Sequence, residues 1–131
     1  MIFKKVRPEE ITQADLDWLA PIPGVRKISF AKMQEWVLAG LWDFLRIPEP
    51  AQGVAVVYPW EGRLFVHYLH GRDLFATLTT KDLLDLARSY GLKGIAAETK
   101  VRGIARILRG LGFKTESIAP GHWIAELEDG R

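Results

Sequence analysis

The sequence predicts a mixed α/β layer fold, a mostly antiparallel twisted sheet flanked by helices in a single domain over 1–131. Three observations carry this expectation. Apolar residues recur at helical spacing as far as residue 44 and at every second position from residue 53. Two bounded helices then alternate with a short apolar run at 94–98, and the chain closes on another pair of alternating stretches.

Taken in order, IFKKV reads as a short strand, and Thr12 caps a helix over 13–19 with Leu16 and Leu19 inward. APIPG ends that helix. The stretch SFAKMQEWVLAGLWDFL predicts a second helix, capped by Ser29, with Met33, Val37, Leu41 and Phe44 on its apolar face and Pro48 and Pro50 as its stop. PEPAQG is the one linker-like segment, too short to separate two domains. GVAVVY and RLFVHYL, joined by PWEG, predict an antiparallel hairpin over 53–69. Thr79 with Asp82 marks the start of the next helix, whose apolar stripe is Leu83, Leu86, Ala87 and Tyr90, and Gly91 marks its end. GIAAE at 94–98 reads as a buried strand reached by a parallel crossover. The last helix, about 101–110, turns Ile104, Ile107, Leu108 and Leu111 inward, and GFKTESIA with HWIAELE forms a hairpin around Pro120-Gly121.

At 131 residues the chain has the length of one domain and buries roughly two thirds of its unfolded surface. No apolar run approaches the ~18 residues that cross a bilayer, and MIFKKVRPEE lacks a signal-peptide core, so a soluble, intracellular protein with no membrane partner is expected. Zero cysteines exclude disulfides, thiolate metal sites and cysteine nucleophiles. A net charge of +2 is too small to argue for nucleic acid by itself, although a pI near 9.0 keeps that option open.

ARSYGLKGIAAET and IARILRGLGFKTE, the latter ending in Gly112-Phe113, resemble the third-helix-to-fifth-strand and fourth-helix segments of the GNAT acetyltransferase superfamily. The resemblance is best over 53–127 and implies acetyl-CoA as cofactor if the chain is active. It also implies a pyrophosphate-binding motif, Q/R-x-x-G-x-G/A, where this sequence has Gly71-Arg72-Asp73-Leu74-Phe75-Ala76 and only Ala76 fits. Leu74 replaces the glycine that lets the backbone approach the anion, and is expected to put a bulky side chain close to it. The tyrosine that often protonates the leaving thiolate falls on Leu108, and the asparagine at that helix's start falls on Val101; neither can donate a proton. The chain further resembles small GNAT-like proteins of tailed bacteriophages, some of them virion components.

The expectation is therefore a GNAT-like scaffold with a degraded site and a structural or interaction role, with no cofactor expected, placed in the host cytoplasm or the virion. The alternative is an active N-acetyltransferase that uses a backbone contact near Leu69 and His70, with His70 or Glu98 as base and Leu69, His70, Arg72, Leu74 and Ala76 around the cofactor. A third reading, a small nucleic-acid-binding protein, rests on the arginines of the last helix alone. His67 and His70 read otherwise as strand residues on opposite faces, with no metal spacing to His122. Glu98 reads as a partner of Lys100 or a cap of the following helix. Tyr68 and Trp60 read as packing residues. Arg102, Arg106 and Arg109 share one exposed helix face, flanked by Lys100 and Lys114, which reads as a solvated surface or else as an anion site, for the 3'-phosphate of coenzyme A or for an acidic partner surface on virion proteins or a second copy. Nucleic acid is disfavoured there because no aromatic residue interleaves to stack bases.

Overall fold

The computed structural model describes residues 3–19, 30–47 and 52–128. The expectations for APIPG, Ser29, Pro48 and Pro50 fall outside these residues. The chain forms two units, Met1–Tyr58 with His67–Thr77 and Pro59–Val66 with Leu78–Arg131. Among the described residues no helix is long and apolar enough to cross a membrane.

The first unit holds β1 (Lys4–Val6), a 3-10 turn at Pro8–Glu10, α1 (Gln13–Asp17), α2 (Phe30–Leu38), β2 (Asp43–Ile47), most of β3 (Gln52–Trp60), the end of β4 (Arg63–Arg72) and α3 (Leu74–Thr77). Thr12 caps α1 reciprocally: its Oγ1 accepts the Asp15 N–H at 3.2 Å while its own N–H donates to Asp15 Oδ2 at 2.9 Å. The second helix is shorter than expected. Gly40 adopts φ +76°, the Gly40 N–H donates to Val37 O and the Leu41 N–H donates to Trp36 O, both at 3.1 Å. That pair of bonds closes a helix through a left-handed residue, a conformation glycine takes without a Cβ penalty. The chain then enters β2, a strand absent from the predicted order. Phe44 is fully buried as expected, but in a strand, opposite Val6 of β1 and Val56 of β3. Leu41, expected on the buried helix face, is 59% exposed. The apolar positions 33, 37, 41 and 44 fit a helical period by coincidence, because two elements contribute to them. Met33, Val37, Phe44, Val54 and Val56 form the core of this unit with Val6.

β3 and β4 are neighbours in the sheet, turning through Glu61 (φ 49°) and Gly62 (φ 80°). Two successive left-handed residues make the turn whose twist suits a hairpin. Pro59 and Trp60 of the predicted PWEG turn belong to the strand instead, with the Trp60 ring edge-on to Phe65 at 5.8 Å.

The second unit holds the start of β4, α4 (Thr80–Ser89), β5 (Gly94–Thr99), α5 (Arg102–Gly110), β6 (Lys114–Ala119) and β7 (His122–Glu128). β4 and β5 pair in parallel from Leu64↔Ile95 to Val66↔Ala97, the expected crossover. Thr79 and Asp82 form the predicted capping box, and Gly91 follows α4 at φ 70°. The closing hairpin forms as expected, and its second strand, β7, is the one that pairs antiparallel with β5. On α5 the buried stripe is narrower than predicted: Ala105 and Leu108 are buried, Ile104 and Leu111 half-buried, and Ile107 is 37% exposed. Arg102, Arg106 and Arg109 are exposed, as the helix phase required. The sheet order is β1-β2-β3-β4-β5-β7-β6, and every pairing with a determined register except β4–β5 is antiparallel.

Candidate functional site

β4 is unusually accessible for its position, with Leu64 its one buried residue. It is the fourth of seven strands, yet His67 to Gly71 are all half-buried, whereas Gly53 to Val57 of the adjacent β3 are buried throughout. Period-two alternation places neighbouring residues on opposite faces. Accordingly Tyr68 packs against the main core of the first unit, and Leu69 packs against Ile47 and Leu74.

Gly71, the one glycine of the expected loop, serves the sheet instead. A Cβ there would collide with the Gln52 carbonyl oxygen and lie 2.7 Å from Gly53 Cα, so Gly53 and Gly71 permit a close approach of β3 and β4. Arg72 does not reach out for an anion; its guanidinium donates to Gln52 Oε1 at 2.8 Å. Asp73 makes the turn into α3 at φ 59°, a conformation aspartate tolerates better than most residues. The Thr77 hydroxyl closes the turn by donating to Asp73 O at 3.0 Å. Leu74 was expected to stand over this turn. It is 4% exposed and packed with Ile47, so its side chain belongs to the core. Ala76 is exposed.

His70 Nδ1 is buried and has no hydrogen-bond partner among the described residues. Its ring lies 6.5 Å from that of Trp18. His67 belongs to a separate ring set, 5.1 Å from Trp42, 5.7 Å from Tyr58 and 4.1 Å from Tyr68. Trp42 meets Trp36 edge-on at 4.6 Å. Burial, followed by the neighbouring Tyr58, raises the Tyr68 phenol above the ordinary tyrosine value. The sequence reading missed this set because Trp36 and Trp42 approach only once Gly40 has broken the helix between them; the glycine was the available signal.

Glu98 lies in the second unit and makes neither predicted contact. Its Oε1 is 3.0 Å from His122 Nε2, a close contact without the alignment of a hydrogen bond. Lys100 is not its partner, and it does not cap α5, whose N-terminal Val101 N–H instead donates to Thr99 Oγ1 at 3.1 Å. The β5–β7 pairing explains this, since it lays Glu98 opposite Ile124, close to His122. The structure thus does not join Glu98 to His70 within one unit. Leu108 is buried on α5 and Val101 is exposed at its start. Among the described residues no group of three histidines or carboxylates could hold a metal ion.

No protein-family model matches the sequence, and no curated protein matches it. Solved structures do. A protein from Desulfovibrio desulfuricans assigned to the GNAT acetyltransferases superposes with a TM-score of 0.66 at 18% identity, over 96% of this chain and 97% of that one. The N-acetyltransferase PseH of Campylobacter jejuni, solved with acetyl coenzyme A, superposes with a TM-score of 0.61 at 12% identity, over 98% of this chain and all of that one. The chain has the fold of the GNAT acetyltransferases.

Proposed function

We infer that this chain binds acetyl-CoA beside the accessible end of β4 and transfers the acetyl group to an amine. The observation that carries the reading is the half-burial of His67–Gly71 on a strand in the middle of the sheet order, in a fold that PseH uses with acetyl coenzyme A bound. The burial of Leu74 removes the steric objection read from the sequence, and Asp73 supplies the turn without a glycine. In the reaction the amine nitrogen attacks the thioester carbon, a C–N bond forms and the C–S bond breaks. His70, on that half-buried segment, takes the proton of the amine. The thiolate leaves and is protonated by water, because Leu108 offers no acid.

One observation favours a second reading, a GNAT-fold scaffold with a structural role such as a virion component. Leu108 is a buried packing residue where the family resemblance expects a proton donor. Titration calorimetry with acetyl-CoA separates the two. Saturable binding that Leu74→Gly leaves within a few-fold supports the acyltransferase. No detectable binding to the wild type, regained in Leu74→Gly, refutes it and supports the scaffold. Loss of acetyl transfer to an amine panel in His70→Ala, with binding retained, would identify the base.

A further inference from the structure

We propose that the exposed face of α5 is a docking surface for a short acidic polypeptide segment. From Lys100 to Lys114 the chain carries five basic residues and no aspartate or glutamate, while its other 116 residues carry thirteen basic and sixteen acidic side chains. The positive balance of the protein therefore resides in this one stretch. The contrast with α4 shows that the arrangement is not the ordinary surface of this chain. On α4, Asp85 neutralises both Lys81, at 3.1 Å, and Arg88, at 3.0 Å. Elsewhere Arg7, Lys32, Arg46 and Arg63 each meet a carboxylate. Arg102, Arg106 and Arg109 are exposed, and none of them meets a carboxylate among the described residues. Like charges spaced three and four apart on a helix repel, so the unaided helix bears a cost that an anionic partner would relieve.

The side chains also favour one kind of anion. Arg109 is held by its Nε, which donates to Thr115 Oγ1 at 2.7 Å, leaving its terminal nitrogens for a carboxylate. Two exposed apolar residues, Val101 at 58% and Ile107 at 37%, lie at the helix start and beside Arg106, which suits a segment that mixes acidic with aliphatic residues. A nucleic-acid strand fits less well. No aromatic residue lies between the arginines to stack bases, and three arginines spread over eight residues span about 10 Å of helix. A longer polyanion would leave the stripe for a chain whose remaining charge is net negative. The proposal does not rest on acetyl transfer, which is assigned to β4.

The test is fluorescence anisotropy of the intact protein with a short labelled peptide of glutamates interspersed with leucines, against a single-stranded and a double-stranded oligonucleotide of equal charge. The peptide is expected to bind most tightly, to weaken as salt is raised, and to bind about tenfold more weakly to the triple Arg102→Gln, Arg106→Gln, Arg109→Gln variant. Ile107→Ser should weaken the peptide and leave the oligonucleotides unchanged. Circular dichroism of the triple variant checks that it is folded, and unchanged acetyl-CoA binding by it would separate this face from the cofactor. Tighter binding of either oligonucleotide, undiminished peptide binding by the folded triple variant, or no peptide binding at low salt would each overturn the proposal.

Discussion

Replacing Asp15 by alanine is expected to destabilise the protein by about 3 kcal/mol, although the residue lies on a five-residue helix near the chain's start. Asp15 is 6% exposed and is the only buried charged side chain among the described residues. Arg46 grips it with both arms of the fork, Nε to Oδ1 at 2.9 Å and Nη2 to Oδ2 at 2.7 Å, and the Thr12 N–H adds a third bond at 2.9 Å. Loss of the cap costs about 1 kcal/mol and loss of the charge-assisted pair roughly 1.5–3 kcal/mol. The total stays below the upper range for a fully buried pair because the Arg46 side chain is 37% exposed and recovers water when released. For a chain of this size the loss corresponds to about 10 °C in Tm. Urea unfolding followed by circular dichroism measures it. A loss under about 1 kcal/mol would place the pair among ordinary surface ion pairs and refute the argument.

The same pair sets an acid limb. Burial alone pushes the Asp15 carboxyl up, but hydrogen bonds from Arg46 and Thr12 and the Arg46 charge more than offset it, so the group titrates below the usual aspartate value. A depressed folded pKa gives stability that is complete above the unfolded value, about 3.9, and is lost as pH falls through the folded one. Asp15→Asn should therefore flatten the decline of stability below about pH 4.

Phe44→Ala should cost about 3–5 kcal/mol, whereas Leu41→Ala should change stability by less than about 0.5 kcal/mol; equal losses in urea unfolding would contradict the break at Gly40. Gly71→Ala should destabilise by about 1–3 kcal/mol because its methyl meets the Gln52 carbonyl, while Asp73→Gly, at a left-handed position, should be near neutral or mildly stabilising, both read from Tm. Substituting glutamine for Arg102, Arg106 and Arg109 together should shift the unfolding free energy by less than about 1 kcal/mol, and a large loss would mean that the stripe is tied into an ion-pair network.

The sequence by itself determined what depends on neighbours within one helical turn or one hairpin. The helix caps at Thr12 and Thr79, the end of α4 at Gly91, the hairpin after residue 53 and the exposed arginine face of α5 all follow from residue types three or four apart or from strict alternation. The parallel crossover from β4 to β5 followed as well, because a capped helix between two apolar strands leaves little other topology. The tertiary structure alone decided the rest. Whether Phe44 ends a helix or sits in a strand depended on pairing with Val6 and Val56, both distant in sequence. Whether Leu74 blocks a turn or fills a core depended on Ile47 being there to receive it. Glu98 found His122 only through the β5–β7 register, and Gly71 proved to be a packing glycine only because Gly53 faces it. Such outcomes are set by side chains brought together from separate elements, and burial and pairing energies of that kind leave no local period in the sequence.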